Sequence, residues 1–513
     1  MRTAVDPFVL IGLAAAIGIV DCKPLSSSLG PIVDLGYAAY VGNSTSPAGI
    51  ANSSVTFFGG IPYVQPPLGE LRFRAPKLLN EKFNASRVVT DARTWGPTCV
   101  QQPAIEGVGV EGTDCLNLNV WKPTRAKEGD RLFLDGAAVR ANGTPNAGLL
   151  DQRAAIEWVR RHIAQFGGDP NQIAIAGESA GGASVVLQAT AYGGLRRAPF
   201  KKAIAQSIGL YPLPLDSEIE RVFQNVTSAT GCPKAGAEAM ACLRSAPLST
   251  LVKSINNVRT NFLAPTLDGQ NGFIPDLPSK MIREGRFSPG LDLIAGHCTN
   301  DGQNFAGNPA NLRTDADVLA TITRRYRHMT NATLTKVLEL YPSPNVTESP
   351  FSTQYERTWT IMQDTIFGCM DQHWANATFA QGETNVYSYR FDVPNPVTRA
   401  ANLYMGAMHA SDVYYMFNGA TGTTPFFAPF NVTEVPMSQE IIAYWTSFAE
   451  KGDPSGHRKA FSPAWPTFVG GRRIVMKEDL YGNGTKTASF VERTPVEEST
   501  RCKWWMNQNE TRV

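Results

Sequence analysis

The chain has 513 residues, 43% of them hydrophobic, and a formal net charge of +2. That is enough apolar material for a large core, and one domain is expected because α/β chains of this size often fold as a unit. Basic pairs such as Arg160-Arg161 and Arg472-Arg473 never grow into a block of five, which excludes nucleic acid as an expected partner.

At the N-terminus, Arg2 precedes an apolar run from Phe8 to Val20 that is too short to cross a bilayer and has the length of a signal-peptide hydrophobic segment. Residues 1–22 are therefore expected to be a signal peptide cleaved near Cys22, leaving 23–513 as the folded domain of an extracellular protein. Eleven Asn-x-Ser/Thr sequons agree with secretion: Asn43, Asn52, Asn84, Asn142, Asn225, Asn331, Asn345, Asn376, Asn431, Asn483 and Asn509. Roughly four would arise by chance, so the excess points to a glycosylated surface. The final residues, WWMNQNETRV, carry no apolar tail, and no membrane anchor is expected. Of eight cysteines, Cys22 leaves with the signal and seven remain in an oxidising compartment. Cys99 with Cys115, and Cys232 with Cys242, lie close in sequence, but spacing leaves the connectivity open.

Further along, CLNLNVW alternates Leu116, Leu118 and Val120 with Asn117 and Asn119, the period of two of a half-buried strand. A polar, Gly-rich passage follows. From Leu149 the pattern becomes helical, with Ile156, Val159, Ile163 and Phe166 at spacings of three and four, and Gly167-Gly168 then Asp169-Pro170 ending the helix. QIAIAG reads as a short apolar strand, and AIAGESAGGAS places Ser179 at a strand-to-helix turn. Small residues Gly177, Ala180 and Gly181 allow the sharp reversal that lifts a serine hydroxyl clear of a sheet, the context a G-x-S-x-G nucleophile requires. Near the end, SQEIIAYWTSFAEKG puts Ile441, Trp445 and Phe448 on one helix face, with Ser438 expected as N-cap and Gly452 as the stop. Alternating helical and strand-like segments predict an α/β fold with a mostly parallel sheet.

The stretches GIPYVQPPLGELRFRAP, TDCLNLNVW, NAGLLDQRAAIEWVRRHIAQFGGDPNQIAIAGESAGGAS, GCPKAGAEAMACLR and LDGQNGFIPDLP resemble the type-B carboxylesterase/lipase family, the α/β-hydrolases that include cholinesterases. The resemblance implies an α/β-hydrolase fold, a mostly parallel sheet flanked by helices, and a serine ester hydrolase that uses no metal or organic cofactor and acts on a small-molecule or lipid ester. A serine needs a histidine to take its proton, and the histidine needs a carboxylate. GAMHASDVYYMF resembles the family's histidine motif and nominates His409, whereas His457 lies in a polar loop and reads as solvent-facing. The family's acid is usually a Glu in Asp-Glu-Gly; here AGHCTNDGQNF offers Asp301 at that position. His297 and Cys298 beside it lack a ligand cluster of zinc-like spacing. Asp412 is expected to support the site, and Glu178 to be a buried carboxylate behind it. The resemblance also implies disulfides Cys99–Cys115, Cys232–Cys242 and Cys369–Cys502, leaving Cys298 as a free thiol. Activity is expected to rise through about pH 6 to 7 as His409 loses its proton.

One part of the family pattern is absent. The family holds its oxyanion with the N–H after the serine, here Ala180, and with a His-Gly-Gly-Gly loop, yet none of the six histidines in this chain is followed by glycine. Between Trp121 and Asn146 the chain is shorter than the family by roughly fifty residues, with the junction expected at Asp130 to Phe133 and two central strands lacking. Three readings stay open: a sequence that omits the oxyanion segment of an esterase, a non-catalytic binding or adhesion relative, and an esterase with an oxyanion hole built elsewhere.

Overall fold

The computed structural model describes residues 27–44, 56–99, 114–122, 137–257, 264–401, 405–419 and 428–513. The expected signal peptide, Asn52 and the expected junction at Asp130 to Phe133 lie outside the described residues.

The described strands form three sheets. Short strands β1 (Ile32–Asp34), β2 (Ala39–Val41) and β4 (Val89–Asp91) form one, and β3 (Thr56–Pro62) pairs antiparallel with β5 (Asn117–Lys122) in a second. The main sheet takes β6 (Ala174–Glu178), β7 (Lys202–Gln206), β8 (Asp292–Cys298), β9 (Val386–Asp392), β10 (Arg472–Lys477) and β11 (Phe490–Arg493) side by side in chain order. Strands β6 to β10 run parallel, and β11 is antiparallel to β10.

The sequence writes this sheet as short apolar runs. Successive side chains of a strand leave opposite faces, so Ala203, Ala205, Leu293 and Ala295 enter one core while Ile204 and Ile294 enter the other. Helices cover both faces, as parallel strands need. On the first lie Ala180–Ala189, Gln354–Gln363 and Cys369–Ala380; on the second lies Glu434–Lys451, burying Met437, Ile441, Trp445 and Phe448. That last helix begins a turn before the expected cap at Ser438. Pro436 is tolerated in a first helical turn, Glu434 accepts the N–H of Asn431 at 2.8 Å, and Ser438 Oγ donates to Tyr415 O at 2.8 Å from inside the helix. Its stop is Gly452, in the left-handed region at φ 74°.

Disulfides join Cys99 to Cys115, Cys232 to Cys242 and Cys369 to Cys502, and Cys298 is a buried thiol. Asn84, Asn225, Asn331, Asn345, Asn376, Asn431, Asn483 and Asn509 are exposed. Asn43 and Asn142 are half-buried, and the Asn142 amide donates to Ala138 O. Among the described residues no helix is long and apolar enough to cross a membrane.

The sheet is least complete where β6 lies. Among the described residues β6 pairs only with β7, and Ala174, Ile175 and Ala176 are half-buried whereas all of β7 is buried. Between β6 and β5 opens a cavity of about 840 Å³, lined by Leu116 just before β5, Leu118 and Val120 of β5, Ile156 and Val159 of the helix Ala147–His162, and Ile175 of β6. Among the described residues the outer edge of β6 is thus apolar and without a partner strand. Backbone amides of β6 that point away from β7 are accordingly expected to exchange with solvent much faster than those of β8 in a hydrogen-exchange measurement; equal protection would mean that the edge is covered.

Candidate active site

The site is built at the C-terminal ends of β6 and β8, with β7 between them. Ser179 follows β6 directly and has φ 58° and ψ −118°, a conformation that costs about 1–3 kcal/mol for a residue other than glycine. Neighbours hold it there: Ser179 N–H donates to Gln206 O, and Gly209 N–H donates to Ser179 O, both at 3.0 Å. Close packing at the reversal falls on Gly177, where a Cβ would lie 2.4 Å from the Gly181 backbone, while a Cβ on Gly181 itself would meet nothing within 4 Å. The turn therefore requires the first of these glycines and not the second. Ala180 opens the helix Ala180–Ala189, so its N–H is one of the donors that a helix leaves without an internal acceptor.

Asp301 comes from the turn after β8 and is fully buried. Its Oδ2 accepts from the Cys298 N–H and from the Ser207 hydroxyl, each at 2.9 Å. Ser207 is itself buried, has φ 44°, and follows β7; it escapes a reading of the sequence, because a serine after a strand carries no signal of its own. The segment bearing His409 is fastened to the same turn by Asn300, whose N–H donates to Ala407 O and whose Oδ1 accepts from Ala407 N–H, both at 3.0 Å.

These supports bring three side chains into line. His409 Nδ1 lies 2.7 Å from Asp301 Oδ1, and His409 Nε2 lies 2.8 Å from Ser179 Oγ. A third carboxylate is close, since Glu178 Oε1 is 3.3 Å from His409 Nε2. Glu178, expected to be buried, is only half-buried at the end of β6, whose outer edge has no partner strand among the described residues. Burial works against the charge on His409, but the hydrogen bond and charge of Asp301, then the charges of Glu178 and Asp412, outweigh it and raise its pKa from 6.5 to about 9. A hydroxyl bonded to an imidazole that is bonded to a buried carboxylate is an arrangement from which the hydroxyl proton can be drawn. The cavity beside β6 reaches this region at Gly181 but is not lined by Ser179, His409 or Asp301.

The remaining candidates take different places. Asp412 is fully buried and accepts from Gln206 Nε2 at 2.8 Å and Tyr389 OH at 2.7 Å, and burial raises its pKa. His297 is a core histidine, its Nδ1 2.6 Å from Asp371 Oδ2; burial opposes its charge and the Asp371 carboxylate outweighs that effect. Burial likewise pushes the Cys298 thiol well up. His457 is exposed and pairs with Glu450 at 3.1 Å. Among the described residues, the donors close enough for a metal ion are Asp364, Cys369 and Cys502, whose two sulfurs are bonded to each other.

A serine elbow feeding a histidine and a buried aspartate at the C-terminal edge of a parallel, helix-covered sheet is the arrangement of an α/β-hydrolase. The chain belongs to the carboxylesterase family, whose model matches residues 30–133 and then 133–494. It is 26% identical to Lipase 1 of Geotrichum candidum over 93% of this chain and 96% of that one. A secreted lipase of Arthroderma benhamiae is 26% identical over 82% of this chain and 86% of its own, and an acetylcholinesterase of Bungarus fasciatus is 27% identical over 82% and 78%. The crystal structure of Aspergillus niger EstA superposes with a TM-score of 0.79 at 26% identity, covering 95% of this chain and 100% of that one. The protein is thus a carboxylic ester hydrolase by family.

The raised pKa has a definite sign for folding. Protonation of His409 stabilises the folded chain fully below 6.5, and that contribution is lost as pH rises through about 9. In a histidine-selective NMR titration the resonance that disappears in His409→Gln is expected to titrate well above 6.5, and Asp301→Asn should bring the midpoint down; a midpoint near 6.5 in the unaltered chain would remove the electrostatic picture.

Proposed function

We propose that this chain is a secreted, glycosylated serine esterase or lipase that works through an acyl-enzyme. His409 Nε2 takes the Ser179 proton as Oγ bonds to the ester carbonyl carbon, and the carbonyl electrons move to oxygen. The tetrahedral intermediate collapses, the C–O bond to the alcohol breaks, and the alcohol leaves with the proton from His409. Water then repeats the sequence on the acyl-enzyme. Asp301 fixes the imidazole tautomer and stabilises its charge, while the Ala180 N–H donates to the oxyanion. The observation that carries this reading is the pair of hydrogen bonds, 2.7 and 2.8 Å, on opposite nitrogens of His409. Extracellular location is supported by the secreted lipase among its relatives and by the exposed sequons.

The raised pKa of His409 revises the expected pH profile. The base form is scarce at neutral pH, so the acid limb of kcat/KM belongs nearer 9 than an ordinary imidazole would place it. The oxyanion hole is the weak part. Loss of one such donor costs about a hundredfold to a thousandfold in turnover, and a junction near Phe133 is supported by the family match, which comes in two parts that meet there. We infer that the esterase form contains a segment there carrying the remaining donors and that the chain of 513 residues is at best a slow catalyst. The alternative, a non-catalytic binding module, is favoured only by the edge of β6, which has no partner strand among the described residues.

Ser179→Ala is expected to reduce hydrolysis of a short-chain aryl ester to the uncatalysed rate, and undiminished turnover would overturn the assignment. Sequencing the transcript between the codons for Trp121 and Asn146 is expected to reveal roughly fifty further codons with His-Gly-Gly-Gly. A transcript matching the present chain, combined with no turnover above that of Ser179→Ala, would leave the binding reading.

A further inference from the structure

The helical segment behind the site is irregular at one place. Gln354–Gln363 and Cys369–Ala380 are α-helical, and the residues between them, Asp364–Gly368, form a π-helical turn. Such a turn inserts one extra residue and carries whatever follows round by about 100° relative to an unbroken α-helix.

Contacts on its two sides differ. Just before the turn, Gln363 Oε1 accepts the N–H of Gly302, the residue after Asp301, at 3.0 Å. The helix runs so close there that a Cβ on Gly302 would lie 2.0 Å from Trp359 O and 2.5 Å from Gln363 N. Within the turn, the buried ring of Phe367 lies against the His409 imidazole, with centroids 4.6 Å apart and planes at 38°. Phe305 meets that imidazole edge-on at 5.5 Å and Phe367 at 5.2 Å. The back of the turn is pinned by the helix Val496–Trp505: Asp364 Oδ2 accepts from Arg501 Nε at 2.6 Å, and Cys369 is bonded to Cys502. An unbroken α-helix could not keep both Gln363 on Gly302 and Cys369 on Cys502.

We propose that this π-helical turn sets the register of the site, with Gln363 and Phe367 as positioning residues that hold Asp301 and His409 at hydrogen-bonding distance. An imidazole bonded at both nitrogens can still rock about the line joining its partners. A flat ring against one face removes that freedom, and the Gln363 bond fixes the turn from which Asp301 projects. Neither residue need touch the reacting atoms. The kinetic part of the proposal rests on the catalytic reading above, whereas its geometric part does not.

Imidazole protons in short hydrogen bonds to carboxylates resonate far downfield, and among the described residues there are two such pairs, His409–Asp301 at 2.7 Å and His297–Asp371 at 2.6 Å. Loss of one resonance in His409→Gln and of the other in Asp371→Asn assigns them. In Phe367→Ala the His409 resonance is expected to broaden into exchange with water while the His297 resonance persists, and Phe367→Tyr, which keeps the ring, should restore it. Met362→Ala, a buried change on the same helical segment, should leave both. Where the unaltered protein turns over ester, Phe367→Ala should lower kcat roughly tenfold to a hundredfold with little change in KM. A His409 resonance unaffected by Phe367→Ala overturns the proposal, as does its loss to the same degree in Met362→Ala, which would mean general packing. Absence of turnover in the unaltered chain would count against the catalytic reading alone, because the resonances report the geometry without it.

Discussion

A carboxylate with no exposed surface governs the arrangement of the site. Three donors meet at Asp301: the Ser207 hydroxyl, the Cys298 N–H and His409 Nδ1. Removing one partner from a buried charge pair costs about 3–5 kcal/mol, so the segments that supply those donors are tightly constrained. One follows β7, one ends β8, and the third is tied back through Asn300. The parallel register of β7 on β8, with Ala205 opposite Ala295 and Gln206 opposite Gly296, is what makes the first two coincide. A slip of one residue would turn Ser207 to the other face.

The serine is insulated from the outer edge of β6, which has no partner strand among the described residues. Of the three backbone hydrogen bonds at Ser179, two run toward β7 and the segment after it, through Gln206 O and Gly209 N–H, the third joins Ser179 O to the Ala183 N–H of the following helix, and none uses the outer edge of β6. The elbow and its relay to His409 can therefore form whether or not a neighbour lies beside β6. An oxyanion hole has no such independence, since its second donor in this family comes from the loop on that side. The serine–histidine–aspartate contacts and the 840 Å³ cavity thus lie on different sides of β6.

Legibility in the sequence follows the range of each interaction. The strand QIAIAG, the helix ended by Gly167 and the elbow at Ser179 depend on neighbours a few residues away, and their residues announce them. Asp301 and His409 are reached only through motif resemblance, because nothing local says that residues 108 positions apart lie 2.7 Å from each other. Ser207, Asn300 and Phe367 carry no such signal: each acts by a contact made only in three dimensions, on a residue type common at turns or in cores. Ser438 misleads for a related reason, since Pro436 and Glu434 start the helix early and leave the serine to meet Tyr415 instead.

Two histidine–aspartate pairs in one molecule show what the surroundings add. His297 and His409 each meet a buried carboxylate through Nδ1, at 2.6 and 2.7 Å. The His297 pair is sealed: a Cβ on Gly368 would come within 3.2 Å of its ring, and the nearby charges of Arg473 and Glu498 bond to each other. No hydroxyl is placed at its other nitrogen among the described hydrogen bonds, so the pair is a cross-link between β8 and the helix Cys369–Ala380. His409 keeps 13% of its side chain exposed and presents Nε2 to a strained serine. The same residue pair is enclosed in one place and meets a serine hydroxyl in the other, and the difference lies in what Nε2 can reach.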